Sequence, residues 1–205
     1  MLTARRRPSS RLTGLTLVEL MVALAIFMIA LMALLPEAIS WVQGLGVRNM
    51  GESMRSGIEK TRLEALRRNA NMTFWLVTSG EDKPLDAGCQ LSANGTSWVI
   101  SVNSPEGDCM AAPSTTVQPL LVERWSGSEG GRKLAVAGVD VNGNATSSVT
   151  FNALGQVLGT GSQLNVVDIS HASSTSARRL RVLIQAGGSV RLCDRDVAAD
   201  DPRSC

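Results

Sequence analysis

The stretch Gly14–Pro36, GLTLVELMVALAIFMIALMALLP, constrains this chain most, because it joins a membrane-length apolar run to a lone carboxylate near its start. From Leu15 to Leu35 the only ionisable side chain is Glu19. A helix rises about 1.5 Å per residue, so about 20 residues cross a hydrocarbon core, and this run is long enough. A carboxylate inside such a span costs on the order of 2.5–3.5 kcal/mol, and residues kept at that cost usually serve a specific partner. The competing reading is an ordinary signal anchor whose Glu19 hydrates at the interface.

The flanking residues separate these readings. MLTARRRPSSRLTG carries Arg5, Arg6, Arg7 and Arg11 with no acid, and Gly14 stands directly before the apolar residues. A secretory leader would place its small-residue cleavage site after the apolar core instead. Together Gly14, Leu15, Thr16, Leu17, Glu19 and Pro36 resemble the type IV prepilin family: a short basic leader ending in Gly, a hydrophobe, then T-L-x-E, with Pro ending the span. Where that family usually has Phe or Met as its first mature residue, this chain has Leu15.

The resemblance implies that a prepilin peptidase cuts between Gly14 and Leu15 and methylates the amino group of Leu15. It also implies that Glu19 guides subunit assembly, its carboxylate pairing with the cationic amino terminus of a neighbouring pilin or pseudopilin where an unpaired charge is strongly disfavoured. The leader arginines fit the positive-inside rule. The expected localisation is therefore the bacterial inner membrane, single-pass, with the C-terminal domain in the periplasm and an extracellular pilus as a further destination.

With 205 residues, the chain has room for one domain beside an anchor, and its 19% charged residues argue against disorder. The formal charge of +2 changes once the leader is removed: four of the 20 basic residues leave, so 16 face 18 acids, a side-chain charge of −2. A protein that coats nucleic acid is normally far more basic. Three Phe, four Trp and no Tyr also supply few platforms for stacking bases.

Beyond Pro36, Val47, Met50, Met54, Ile58 and Ala65 recur at helical spacing, with Leu66 close to the same stripe. On the opposite side, Arg48 and Glu52, Arg55 and Glu59, Lys60 and Glu64, and Glu64 and Arg68 are four apart, a spacing that supports an exposed face. Gly44, Gly46, Gly51 and Gly57 each cost about 1 kcal/mol relative to Ala, so this helix needs a sheet against it, unless the glycines mark a flexible or melted segment. Asn69 and Asn71 are its expected end.

From Thr73 onward, short apolar runs separated by Gly, Asn, Ser and Pro predict antiparallel strands at Thr73–Thr78, Ser97–Val102, Gln118–Trp125, Ser148–Asn152, Gln163–Ile169, Arg179–Gln185 and Ser189–Cys193. The clearest is Arg179–Gln185, where Leu180, Val182 and Ile184 alternate with polar residues before a tight return at Gly187-Gly188. A helix followed by strands is an α+β arrangement, with the helix on one face of a sheet. The expected organisation is a leader at 1–14, a transmembrane helix at 15–36, its amphipathic continuation at 37–71 and a β-rich periplasmic domain at 72–205.

This half resembles the GspH/FimT branch of the pilin-like families through RLEALRRNANMTFWLV, VTFNALGQV at Val149–Val157, and the ending GGSVRLCDRDVAADDPRSC. The resemblance implies a minor pilin or pseudopilin without enzymatic activity or cofactor. It would take part in initiation or tip assembly of a type IV pilus, or alternatively in a type II secretion pseudopilus. Some FimT-like minor pilins bind DNA during uptake through a C-terminal G-R-x-R stretch. The residues here are Gly188, Ser189, Val190 and Arg191, so one arginine is missing, although Arg179, Arg181 and Arg191, with Arg178 and Arg195, could form a basic patch for phosphates. Asp194, Asp196, Asp200 and Asp201 beside them would offset it.

Cys89, Cys109, Cys193 and Cys205 form no C-x-x-C pair, and the chain has one His, which excludes the usual zinc patterns. Four cysteines allow three connectivities. Cys89 with Cys109 and Cys193 with Cys205 is favoured, since each closes a local turn-rich loop, and a loop near 15 residues contributes about 3 kcal/mol by chain entropy. The second bridge would pin down the acidic tail Asp194–Arg203. His171, three residues after Asp168 among many serines, offers parts of a hydrolase triad, but no G-x-S-x-G elbow accompanies it and it reads as a solvated loop residue. GQVLGTG at Gly155–Gly161 has neither the spacing nor the Lys of a phosphate loop and reads as turns.

Overall fold

The computed structural model of the chain describes residues 16–80, 83–130, 133–159, 161–174 and 177–205, with the side chains of 33–40 left out. Gly14 and Leu15, the expected cleavage and methylation site, lie outside the described residues. The chain divides into two compact units, 1–39 and 40–205. A single helix, α1 (Leu17–Arg68), runs through the boundary.

Among the described residues nine strands follow: β1 (Met72–Thr78), β2 (Gln90–Leu91), β3 (Ser97–Ser101), β4 (Leu121–Trp125), β5 (Leu134–Val139), β6 (Ser148–Phe151), β7 (Val166–His171), β8 (Leu180–Ile184) and β9 (Val190–Asp194). The fold is α+β, as expected, but the strands form two antiparallel sheets rather than one. The first runs β2-β1-β3-β4, with β6 also paired to β1; the second runs β5-β7-β8-β9. All seven expected strands are present with shifted ends, while β2 and β5 escaped the sequence reading. The β5 sequence LAVAGV, built partly from Ala and Gly, carries little strand propensity.

Packing in the 40–205 unit is centred on the helix stripe. Val47, Met50, Met54, Ile58 and Ala65 are fully buried and join Phe74, Leu76, Trp98 and Ile100 of the first sheet and Val167, Ile169, Val182 and Ile184 of the second in one core. Leu66 departs from the expected stripe and stays 42% exposed. A second cluster of Val77, Leu85, Val99 and Leu121 surrounds Cys89 and Cys109, whose bond spans a Cα–Cα distance of 6.1 Å. Residues alternate across a strand, so Phe74 and Leu76 meet the main core while Val77 turns to this smaller one.

The helix glycines are contact points, and α1 continues through them unbroken. A Cβ on Gly51 would lie 3.0 Å from a methyl of Leu192 and 3.3 Å from one of Leu180; a Cβ on Gly57 would lie 2.9 Å from the rings of both Phe74 and Trp98. Their missing side chains let the helix approach β8 and β9 near Gly51, and β1 and β3 near Gly57. Gly44 differs, with nothing within 4 Å of its would-be Cβ. Trp98 locks the contact by donating its indole N–H to Ser53 Oγ at 3.0 Å.

Asn69 ends the helix as the sequence implied. Its φ of 49° is left-handed, and the amides of Ala70 and Asn69 donate to the carbonyls of Ala65 and Leu66 at 3.2 and 3.3 Å, closing a Schellman motif. Of the expected i,i+4 pairs, Arg55–Glu59 and Glu64–Arg68 form. Lys60 instead reaches Glu123 on β4, and Glu64 also binds Arg67. Arg48 and Glu52, both among the described residues, form no such pair.

Gly57→Ala should lower stability by about 1–3 kcal/mol despite the better helix propensity of alanine, because two core rings must shift. Gly44→Ala should instead stabilise by up to about 1 kcal/mol. Denaturant melts of both variants check the opposite signs; equal effects would show that propensity alone governs these sites.

Candidate assembly site and the arginine face

The helix start explains the spacing of T-L-V-E. Thr16 Oγ1 accepts a hydrogen bond from the Glu19 amide at 3.2 Å, while the Thr16 carbonyl accepts the first helical bond from Leu20 at 3.1 Å. Thr16 is thus the N-cap and Glu19 the third helical residue, the spacing of a capping box. Glu19 lies in the first turn, where the helix dipole favours a carboxylate.

The apolar side chains that follow are exposed. Leu17 is 74%, Phe27 59% and Ile29 71% accessible, and consecutive residues such as Leu20, Met21 and Val22 all face outward. Consecutive residues are about 100° apart, so the surface is apolar on every side and requires apolar surroundings. Among the described residues no helix is long and apolar enough to cross a membrane. The expected span 15–36 extends at both ends beyond the described side chains.

On the second sheet, the arginines considered for phosphate binding already have partners. Arg179 binds Asp196 through Nε at 2.8 Å, and Arg181 grips both oxygens of Asp168 at 2.7 and 2.9 Å. Asp168 also receives Arg195 at 3.2 Å, and Arg178 pairs with Asp194 at 3.4 Å. Arg191 Nη2 donates to the carbonyls of Pro202 and Ser204 at 3.2 and 2.8 Å. The structure brings these residues to one region, where each already has a partner within the protein. Asp168 is not among the acids that the sequence sets beside these arginines, since it stands across the sheet, in register with Arg181.

That placement also dissolves the triad fragment. Asp168 and His171 are three apart on β7 and point to opposite faces, and the Asp168 carboxylate is taken by two guanidinium groups. His171 ends the strand rather than lying in a loop, and its Nδ1 accepts from the Ser173 amide at 3.4 Å. Within GQVLGTG, Gly155, Gly159 and Gly161 have φ of 72°, 81° and 112°, as turns require.

Cys193 and Cys205 are bonded, with Cα atoms 5.1 Å apart. The tail is bound further by the Asp194 amide donating to the Arg203 carbonyl at 2.7 Å and by a parallel bridge between Asp194 and Ser204. Within it, Arg203 pairs with Asp201.

Two family models match this chain: the type II transport protein GspH over residues 51–188, and the prokaryotic N-terminal methylation motif over 10–35. The chain belongs to the GspH family. Its match covers most of the folded unit, from Gly51 on the helix to the Gly188 turn before β9. Two crystal forms of the Pseudomonas aeruginosa type IV minor pilin FimU are similar in structure to this GspH-family chain. One shares 16% identity over 77% of this chain and 98% of that one at a TM-score of 0.44; the other shares 14% over 78% and 94% at 0.43. No curated protein matches. The GspH fold and methylation motif together make this a pilin-like protein, membrane-anchored or pilus-associated.

Paired arginines hold the tail carboxylates below their usual range. The Arg203 hydrogen bonds bring Asp201 to about 2, and Arg179 lowers Asp196. A depressed carboxylate contributes stability above its unfolded pKa and loses it as pH falls through the folded one. The tail should therefore hold at pH 5 and weaken progressively from about pH 4 toward 2. Carboxyl NMR titration should give Asp201 a midpoint near 2, and Arg203→Gln should return it toward 3.8; an unchanged midpoint in the variant would remove Arg203 as the cause.

Proposed function

We propose that this chain is a minor pilin that takes part in initiation or tip assembly of a type IV pilus and has no catalytic activity of its own. The observation that carries the reading is the Thr16-capped helix, apolar on every side, with one carboxylate in its first turn. Such a helix is poorly served by water and well served by a bilayer or by like helices. Before assembly it anchors the protein once in the inner membrane, with the leader arginines inside and the domain in the periplasm, where both disulfides are at home. Prepilin peptidase cuts between Gly14 and Leu15 and methylates Leu15. Glu19 then pairs with the amino terminus of a neighbouring subunit.

A second reading, minor pseudopilin of a type II secretion system, is favoured by the description of the matching family model as a type II transport protein. Both readings need the same anchor and helix. DNA uptake draws less support, because Arg179, Arg181 and Arg191 are engaged internally.

Mass spectrometry of sheared, purified surface filaments should find the peptide starting at Leu15 with a methylated amino group. Glu19→Ala should leave cleavage intact and reduce filament incorporation about tenfold or more, equivalent to ~1.4 kcal/mol. Recovery of the methylated peptide only from the inner membrane would favour the secretion reading. Full incorporation of Glu19→Ala would overturn the role of Glu19.

A further inference from the structure

The two disulfides differ in what reaches them and in what they hold. Cys89 and Cys109 are 1% and 0% exposed, enclosed by Val77, Leu85, Val99 and Leu121. Cys205 lies exposed, bonded to the buried Cys193 on β9. The Cys205 bridge also holds a chain segment across an edge. In the second sheet β9 is terminal, paired to β8 on one side, and the tail meets its other side at Asp194. There the Asp194 amide donates to Arg203, and Arg191 donates to Pro202 and Ser204. All three acceptors lie inside the loop that Cys193 and Cys205 close.

We propose that Cys193–Cys205 is a thiol-exchange site, a clamp on the open edge of the second sheet that a dithiol releases while Cys89–Cys109 stays closed. Exchange requires a thiolate to approach a sulfur directly, so access decides which bridge reacts. One thiolate of the dithiol attacks Cys205 Sγ, forming a mixed disulfide as Cys193 leaves as a thiolate and takes a proton. The second thiol of the reagent then closes its own disulfide and frees Cys205 as a thiol. The dithiol is oxidised by two electrons, and the protein gains two thiols.

Release frees the tail from its covalent tie, and with it the three backbone acceptors that cover β9. Arg191 becomes available to an outside acceptor, and the β9 edge joins the class of open edges that proteins usually cover.

The test uses the full mature chain in detergent micelles, treated with graded dithiothreitol, alkylated, and read by peptide mass spectrometry and hydrogen exchange. The expected result is alkylation of Cys193 and Cys205 at dithiothreitol levels that leave Cys89 and Cys109 bonded. Exchange of the Asp194 amide should rise at least tenfold, with β1 and β3 amides unchanged. Cys193→Ser with Cys205→Ser should reproduce that exchange without reductant. Opening of Cys89–Cys109 at equal or lower dithiothreitol, or wild-type protection of Asp194 in the double variant, would overturn the proposal.

Discussion

Close approach of α1 to both sheets is the contact on which the folded unit depends. Two sheets of short strands with only three Phe and four Trp in the chain need a common surface to close against. The stripe Val47–Met50–Met54–Ile58–Ala65 provides it, and the stripe works because Gly51 and Gly57 remove the side chains that would hold the helix away. A position that weakens an isolated helix thus strengthens this tertiary contact. Propensity costs about 1 kcal/mol per glycine, whereas forcing a methyl between two core rings costs more.

The same helix carries two kinds of surface. Before residue 33 it is apolar in every direction; from Val47 onward it has one apolar stripe and a charged outer side. These are answers to different solvents. An all-apolar helix needs lipid or other helices, and an amphipathic one needs its own domain. Thr16 resolves the first turn of that apolar half without a partner, satisfying an amide that lipid could not.

Charge in the second sheet is arranged for internal use. Five arginines in and around β8 and β9 meet Asp168, Asp194, Asp196 and two tail carbonyls, so each already has a partner within the protein. Pairs of this kind, still in reach of water, add little stability one by one. Their effect is to fix the tail beside β9, a task they share with Cys193–Cys205.

The sequence by itself determined what local rules govern. Helical periodicity named the five buried residues of the stripe, alternation named Val182 and Ile184 as buried on β8, and Asn69 marked the helix end because few other residues accept its left-handed backbone. The helix start was legible for the same reason: Thr16 and Glu19 meet within one helical turn. Tertiary structure alone decided what depends on distant partners. It split the strands into two sheets, recruited β5 through pairing with β7 rather than through propensity, and took Lys60 to Glu123 instead of Glu64. It also turned Gly51 and Gly57 into contacts and paired Arg181 and Arg195 with Asp168. Spacing along the chain records neighbours within a turn or a strand; it carries no record of which surface arrives from afar.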